Sequence, residues 1–403
     1  MHNTRELLPG IHWVGGNDRR LNRFENLFPL DNGVAYNAYV IIDDHTALID
    51  TVDNAISDLF IENVKHVLNG RDLDYLVINH MEPDHCGNIV NILREYPKVT
   101  LIGNTKTFQF FDQFYGVDIT GKTRIVKEQD TLELGRHTLK FYTAAMVHWP
   151  EVMMTYEVAQ KVLFSADAFG SFGAHNGGLF ADETDYLNAY LDETRRYYAN
   201  IVGKFGPQVQ ALMKKLSQNE IDVIAPLHGP LYRGDDLGYI VNKYELWSTY
   251  RPEVNSVLIV YGTMYNNTAF AAEILASKLA LQGVKGITLM DVNQADVSYL
   301  IANVWKYKHL VIASPTYNND ISVKMHTFLH DLVALNAQNR SVSLITNFSW
   351  AGKPAEIVKG YLDQLKNITL VGETVGLKST VKSDDEAQLQ NLANAIFEHL
   401  NQA

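Results

Sequence analysis

The stretch LVINHMEPDHCGN, residues 76–88, passes directly from an apolar β-type run to a cluster of metal- or proton-binding side chains. His80, Glu82, Asp84 and His85 lie within six residues. Alternate residues leaving a strand point the same way, so the first three are expected to share one pocket. The fourth joins them only if the chain turns, which the proline and the Cys-Gly-Asn that follow favour. Imidazole and carboxylate together suit iron, zinc or manganese.

Three later residues resemble partners for this cluster. His148 in AAMVHWPE, Asp167 in VLFSADAFG and His228 in VIAPLHGP each follow an apolar run and precede a turn. Each is therefore expected at the rim of a sheet. The seven candidates permit two metals, with the carboxylate of Asp167 shared between them.

Composition narrows the class of protein. The chain has 403 residues, a formal net charge of -12 and no basic stripe, which argues against a nucleic-acid partner. Its start shows no signal-peptide pattern, and no apolar run is long enough for a membrane span. Cys86 is the single cysteine, so intrachain disulfides and CxxC metal sites are excluded, and a buried thiol is expected rather than a nucleophile. A reducing cytoplasm is the expected compartment.

Two patterns of organisation divide the chain. The first half clusters short strands, with helices predicted near 56–69, 86–96, 104–115, 184–203 and 205–219, which indicates a sheet-on-sheet core flanked by helices. From SVLIVYG onward, five strands alternate with five helices, the last over 384–401, as in a doubly wound flavodoxin-like domain. Pro252 breaks the preceding helix, so we predict domains over 1–252 and 253–403.

Three loops at strand ends of the second half predict a flavin site. Hydroxyls and turn residues before a helix make an anion site without lysine or arginine, and aromatic side chains in the later loops suit a ring. The predicted FMN contacts are Thr263, Met264, Tyr265, Asn266, Asn267, Thr268, then Pro315, Thr316, Tyr317, Asn318, Asn319, then Asn347, Phe348, Ser349, Trp350, Ala351 and Gly352.

The combination of HxExDH, a later His, the Asp of FSADAFG and the His of PLHGP resembles the flavodiiron protein family. The resemblance implies an α/β protein: an N-terminal metallo-β-lactamase-like αββα sandwich and a C-terminal flavodoxin-like doubly wound parallel sheet. It implies two non-haem irons, one held by His80, Glu82 and His148, the other by Asp84, His85 and His228, with Asp167 bridging. The hydrolase branch of this fold has HxHxDH. Glu82 replaces its second histidine and shifts preference from zinc toward iron.

The resemblance also implies a function. FMN and two irons together hold the four electrons that reduce dioxygen to water, and nitric oxide reduction to nitrous oxide needs two. We expect dioxygen, nitric oxide or both as substrate, leaning to dioxygen. Rubredoxin or another reduced flavin or deazaflavin donor would supply electrons, to a head-to-tail homodimer or a dimer of dimers. Arg23, Phe24, Phe28 and Tyr36 are expected near the pocket, and His175 is a candidate proton donor.

Three other classes fit parts of the pattern. A zinc-dependent hydrolase with a flavodoxin-like appendage would act through metal-activated hydroxide, and Glu82 argues against it. A plain FMN electron carrier would leave the first 250 or so residues unexplained. A redox-inert interaction protein would not be expected to keep all seven ligand-type residues.

Overall fold

The computed structural model describes residues 2–402. Contacts along the backbone divide them into two compact units. The first runs up to Tyr198 and includes Pro207–Tyr244; the second comprises Ala199–Gly206 and the chain from Glu245 onward. Each unit is described by itself below.

The first unit is built on two large sheets. Within residues 2–402, a seven-stranded sheet has the order β1 (Arg5–Leu8), β2 (Ile11–Trp13), β7 (Tyr39–Ile42), β8 (Thr46–Ile49), β9 (Tyr75–Val77), β10 (Thr100–Gly103) and β11 (Thr123–Ile125). A six-stranded sheet has the order β12 (Thr131–Glu133), β13 (Thr138–Thr143), β14 (Met153–Glu157), β15 (Val162–Phe164), β16 (Val223–Ala225) and β17 (Tyr232–Arg233). One apolar core joins residues of both sheets, including Tyr39 and Ile49 from one and Phe141 and Phe164 from the other. The predicted sheet-on-sheet core is therefore present.

Helices and two short hairpin-like pairs complete this unit. The helices are α1 (Ser57–Leu68), α2 (Pro83–Cys86), α3 (Ile89–Glu95), α4 (Thr105–Tyr115), α5 (Tyr186–Ala189), α6 (Leu191–Tyr197), α7 (Gly206–Leu216) and α8 (Gly234–Ser248); the first residue of α7 and the last turn of α8 are assigned to the second unit. The short pairs are β3 (Gly16–Asp18) with β6 (Val34–Tyr36), and β4 (Arg23–Phe24) with β5 (Phe28–Pro29). The helix predicted over 184–203 is instead broken into α5 and α6 and then a π-helical turn, Tyr198–Val202, where hydrogen bonds skip one further residue.

The second unit is a parallel sheet. Its order is β19 (Thr288–Asp291), β18 (Val254–Tyr261), β20 (Tyr307–Pro315), β21 (Arg340–Phe348) and β22 (Ile368–Leu370), with β23 (Val375–Lys378) also pairing with β21. The helices are α9 (Asn267–Leu281), α10 (Val297–Lys306), α11 (Val323–Ala334), α12 (Pro354–Leu362) and α13 (Ser383–Asn401). This 2-1-3-4-5 order is that of flavodoxin-like folds, which bind ligands at the carboxyl ends of the strands.

The fifth strand of this sheet differs from the sequence prediction. ITLVGETV was expected to form one strand, but the structure splits it into β22 and β23. Gly372, between them, has a φ of +71°, a left-handed conformation that interrupts a strand and that glycine adopts without steric cost. Both halves pair in parallel with β21, so the sheet order is kept.

No helix within residues 2–402 is long and apolar enough to cross a membrane.

Candidate diiron centre and flavin cleft

The loop after β9 carries the first four candidate ligands into one pocket. Asp50 at the end of β8 accepts hydrogen bonds from the backbone N–H (2.7 Å) and side-chain amide (2.8 Å) of Asn79, which fixes the exit of the strand. Pro83 then begins the one-turn helix α2, where a proline is favoured because the first N–H has no intrahelical partner. This turn swings His85 toward the pocket, as the sequence prediction required.

The seven predicted ligands fall into two groups. In the first, His80, Glu82, His148 and Asp167 bring ligand atoms close enough to share one ion; in the second, Asp84, His85 and His228 do the same. Six of the seven are buried and His148 is partly buried. The structure therefore brings together every candidate that the sequence singled out.

Asp167 faces both groups, one carboxylate oxygen toward each. Its Oδ2 lies 3.2 Å from His80 Nε2 and 3.1 Å from His148 Nε2. Its Oδ1 lies 3.0 Å from His85 Nε2 and 3.7 Å from His228 Nε2. A carboxylate that presents its oxygens to opposite sides is the arrangement expected of a bridging ligand.

The remaining carboxylates close each group. Glu82 Oε2 lies 3.2 Å from the Nε2 atoms of both His80 and His148. Asp84 Oδ2 lies 3.4 Å from His85 Nε2 and 3.2 Å from His228 Nε2. Each group thus combines imidazole nitrogen with carboxylate oxygen.

The donor atoms of the second group fit a metal better than they fit each other. Both carboxylate oxygens of Asp84, Oδ1 of Asp167 and the Nε2 atoms of His85 and His228 are buried without a hydrogen-bond partner among residues 2–402. Buried polar atoms are rarely left unpaired, because desolvation without compensation is costly. A mixed nitrogen and oxygen set of this kind suits iron.

The ligand side chains shift one another's pKa values strongly. Burial alone would raise the pKa of Asp167, but His85 and His80 hold it well below its usual range. Burial would lower the pKa of His148, yet Asp167 and Glu82 raise it to about 9. The carboxylates of Glu82, Asp84 and Asp167 therefore concentrate negative charge in the cluster, which two metal cations would neutralise.

Backbone strain borders the cluster. Asp50, Met146, Ala166 and Phe169 all have positive φ values between 50° and 69°, although none is glycine. Such conformations cost about 1–3 kcal/mol each and persist where the surrounding structure imposes them. Met146, Ala166 and Phe169 lie within two residues of His148 or Asp167, and Asp50 holds Asn79, the residue before His80.

Tyr197 lies beside the cluster but was not predicted from the sequence. The Tyr197 hydroxyl is buried and finds no hydrogen-bond partner within residues 2–402, and its ring lies 5.5 Å from that of His228. Burial, then the charges of Asp167 and Glu82, raise its pKa well above the usual range, so it keeps its proton. Its position at the end of α6 gives no signal in the sequence.

Two carboxylic acids were also missed. Glu151 accepts from His80 Nδ1 at 2.7 Å; its place three residues after His148 is the only signal that could have found it. Glu25, on the turn between β4 and β5, contacts Glu82, and its desolvation together with this neighbour raises its pKa to about 9.

Of the four residues expected around the pocket, the three aromatic ones pack on or behind the ligand His228, and the arginine makes a different contact. Phe24 and Tyr36 pack on His228, with ring centroids 5.2 and 5.6 Å away, and Phe28 packs on Phe172 behind them. Arg23 instead donates to the carbonyl of Leu27.

His175 joins neither ligand group. Its Nε2 lies 3.0 Å from Asn37 Oδ1, and burial lowers its pKa to about 4, so it is neutral. Asn37 in turn donates to the carbonyls of Pro226 and Gly229, on either side of His228. His175 therefore supports the loop that carries a ligand.

The second unit has a cleft at the carboxyl ends of its strands. It is lined by Thr263, Met264, Tyr265, Asn267, Thr268, Pro315, Thr316, Tyr317, Asn318, Asn347, Phe348, Ser349, Trp350 and Ser379. Four predicted contacts, Asn266, Asn319, Ala351 and Gly352, are not among them, whereas Ser379 was not predicted.

The first cleft loop is suited to phosphate. Across the described part of the chain, Thr263 Oγ1 is buried without a hydrogen-bond partner, and Asn266 makes no side-chain cap on α9. The free N–H groups at the start of a helix bind anions. These features fit the phosphate of FMN.

The other two loops hold each other in place. Thr316 donates from Oγ1 to the Ala351 carbonyl at 2.8 Å. The Asn347 side chain both donates to and accepts from the backbone of Ser379. Asn347 therefore shapes the cleft through Ser379. Trp350 is 74% exposed and Tyr317 43% exposed, so two aromatic faces remain available to a ring.

Comparison with known proteins agrees with both units. The family model ODP family beta lactamase matches residues 34–229, and Flavodoxin matches 259–393. A nitric oxide reductase of Moorella thermoacetica is 33% identical over 370 residues, 90% of each chain. The rubredoxin oxygen:oxidoreductase of Desulfovibrio gigas superimposes with a TM-score of 0.92 at 27% identity, over 99% of both chains. The Giardia intestinalis flavodiiron protein, at 24% identity, shares the fold: its TM-score is 0.91, over 100% of this chain and 98% of that one.

A lactamase-like unit with a two-metal ligand cluster, together with a flavodoxin unit, defines a metal- and flavin-dependent oxidoreductase. The chain belongs to the flavodiiron protein family. This confirms the predicted fold class and the predicted enzyme class. The flavodoxin domain indicates FMN and the family implies a di-iron site, as the sequence predicted. The zinc hydrolase alternative is not favoured.

Proposed function

We propose that this enzyme passes electrons from an external donor through FMN to a diiron site that reduces dioxygen to water, nitric oxide to nitrous oxide, or both. The observation that carries the proposal is Asp167, whose two oxygens face two separate groups of buried ligands. The relatives support both substrates: the Moorella protein is named a nitric oxide reductase and the Desulfovibrio protein an oxygen oxidoreductase.

In this proposal His80, Glu82 and His148 would hold one iron, Asp84, His85 and His228 would hold the other, and Asp167 would be shared between them. The bound pair would supply two reducing equivalents and adjacent Lewis acids for a diatomic substrate. The residues of the cleft listed above would hold FMN, and Thr263 with the start of α9 would take its phosphate.

The protein's own groups account for positioning and protons. Phe24 and Tyr36 pack on His228 and limit access of water to that side of the cluster. The Tyr197 hydroxyl has no hydrogen-bond partner among residues 2–402 and keeps its proton beside the charges of Asp167 and Glu82, so it is available as a hydrogen-bond donor at the cluster. Glu25 holds a proton beside Glu82.

We further propose rubredoxin, or a reduced flavin or deazaflavin system, as the donor, in keeping with the named Desulfovibrio relative. The same proposal includes a head-to-tail homodimer, with a dimer of dimers as the larger form, a cytoplasmic location, and functional domains over 1–252 and 253–403.

Anaerobic stopped-flow spectrophotometry tests the function. Protein with iron and FMN quantified is fully reduced and mixed separately with dioxygen and with nitric oxide, and metal-free protein that retains FMN is the control. We expect two irons and one FMN per chain, rapid reoxidation without peroxide, and nitrous oxide from nitric oxide. Zinc in place of iron would contradict the proposal. So would slow reoxidation of the flavin with formation of hydrogen peroxide, as in the control.

A further inference from the structure

Glu151 supports one ligand of the cluster from behind. Its side chain is fully buried, and its Oε1 lies 2.7 Å from His80 Nδ1 and accepts the backbone N–H of Met81 at 3.0 Å. Asn104 Nδ2 donates to the Glu151 carbonyl at 2.5 Å and helps to fix this segment. The His80 nitrogen that faces the cluster is Nε2, so the carboxylate sits on the opposite side of the ring.

The second ligand group has no equivalent support. His228 Nδ1 lies 2.9 Å from the backbone carbonyl of Ala35, a neutral acceptor. His85 Nδ1 is buried and has no hydrogen-bond partner among residues 2–402. A carboxylate behind a ligating imidazole fixes its tautomer and orientation and raises its basicity, and its loss typically costs about 10–100-fold in metal affinity.

The two groups otherwise have matching carboxylates. The first contains Glu82 and faces Oδ2 of Asp167. The second contains Asp84 and faces Oδ1 of Asp167. The difference between them is therefore the carboxylate of Glu151, which is hydrogen-bonded to the back of a ligand-type imidazole only in the first group.

We infer that Glu151 is a positioning residue that makes the His80 group the tighter of two unequal iron sites, so that iron fills this group first and the His228 group second. The inference rests on the proposed function, because it takes the two groups as the iron ligands. It predicts that the two irons differ before any substrate arrives.

Glu157 provides a matched control on the neighbouring strand β14. It is also fully buried, and its Oε1 lies 3.1 Å from His137 Nδ1. Its carboxylate accepts backbone N–H groups of Ala159 and Gln160 at 2.9 and 2.7 Å. Glu157 is therefore also a buried carboxylate next to a buried histidine, and that histidine belongs to neither ligand group.

The test uses single-site backgrounds of the full chain. His228→Ala leaves the first group intact, and His148→Ala leaves the second. Anaerobic ferrous iron is titrated into metal-free protein of each background, with and without Glu151→Gln or Glu157→Gln. We expect Glu151→Gln to weaken iron binding about 10–100-fold in the His228→Ala background and to leave the His148→Ala background unchanged. Glu157→Gln should change neither.

Mössbauer spectra give a second readout, independent of activity. With one equivalent of iron-57, the otherwise unaltered chain should show one ferrous species, whereas Glu151→Gln should show two. Glu151→Asp, which keeps the charge, should restore part of the preference, and it serves as the test variant if Glu151→Gln does not fold. Equal weakening in both backgrounds, or equal effects of the Glu151 and Glu157 variants, would overturn the inference.

The two single-site backgrounds also separate this inference from the proposed function. If His148→Ala and His228→Ala do not each remove one iron, the proposed ligand set fails. If each removes one iron but Glu151→Gln has no site preference, the ligand set stands and only the role of Glu151 fails.

Discussion

The ligand cluster and the flavin cleft are built in opposite ways. The cluster joins buried charged groups from separate strand ends, and several of their atoms have no hydrogen-bond partner in the part of the chain that the structure describes. The cleft is open, with Trp350 and Tyr317 exposed, and its loops are held by hydrogen bonds to each other. The difference follows from the cofactors: buried charge needs a compensating ion, whereas a flavin needs stacking surfaces and access for a donor. Changes in one region should therefore leave the other cofactor in place.

Asp167→Ala is expected to have the largest effect, and to affect the iron content without affecting the FMN content. Removing the shared carboxylate should reduce iron from about two per chain to near zero and lower dioxygen and nitric oxide reduction by at least ~100-fold, since even an outer partner of a ligand is worth 10–100-fold. FMN content should not change. Metal analysis and flavin absorbance measure the two, with the exposed Asp222→Ala as control. Normal iron content in Asp167→Ala would refute the bridging role.

Tyr197→Phe should affect chemistry without affecting either cofactor. The change removes one hydroxyl and keeps the packing of the ring, so iron and FMN should be retained while turnover falls on the order of 100-fold, as for loss of one positioned donor. Steady-state kinetics with each substrate would measure this, with Tyr198→Phe as the neighbouring control. Equal turnover in both variants would exclude a hydrogen-bonding role.

Acid should act on the flavin unit through His309. Its two ring nitrogens contact Ser341 and Ser343, and burial lowers its pKa to about 3. The imidazole of the unfolded chain has a pKa near 6.5 and therefore binds a proton between about pH 6.5 and 3, where the folded chain does not. The folded state of the flavin unit therefore loses stability as pH falls from about 6.5 toward 3, and the folding equilibrium constant falls by up to about tenfold per pH unit.

The measurement is the fluorescence of FMN that is released when the flavin unit unfolds, recorded as a function of pH. His309→Gln should flatten the dependence, and the exposed His330→Gln should not. An unchanged pH profile in His309→Gln would show that other groups govern the acid response.

The smallest effect should come from Trp350→Ala. One aromatic stacking contact is worth about 0.5–1.5 kcal/mol, so FMN should bind roughly 2–10-fold more weakly, with iron unchanged. Fluorescence titration of FMN into the flavin-free protein measures this, and the exposed Phe114→Ala is the control. Unaltered affinity would mean that the Trp350 face does not contact the ring.

The sequence was most informative where chemistry is concentrated at strand ends. His80, Glu82 and Asp84 alternate along one segment, and His148, Asp167 and His228 each follow an apolar strand, so local pattern alone suggested a shared pocket. The parallel order of the second unit likewise follows from alternating strands and helices, and the comparisons confirm the fold class.

What the sequence did not reveal depends on contacts between distant segments. Tyr197 and Glu25 reach the cluster from a helix end and a turn with no motif of their own. Ser379 enters the cleft because β23 pairs with β21, and this pairing follows from the break at Gly372. Such positions are set by tertiary packing, which periodicity cannot describe.

The one-turn helix α2 acts as a spacer of fixed length. Glu82 stands just before it and His85 lies within it, and the His85 carbonyl accepts both the backbone N–H and the hydroxyl of Thr51. One inserted residue would rotate the following imidazole by roughly 100° about the helix axis, because a turn takes 3.6 residues. Evolution can therefore exchange side chains in this loop far more readily than it can change its length, and an insertion or deletion here would mark descendants that have given up the second metal.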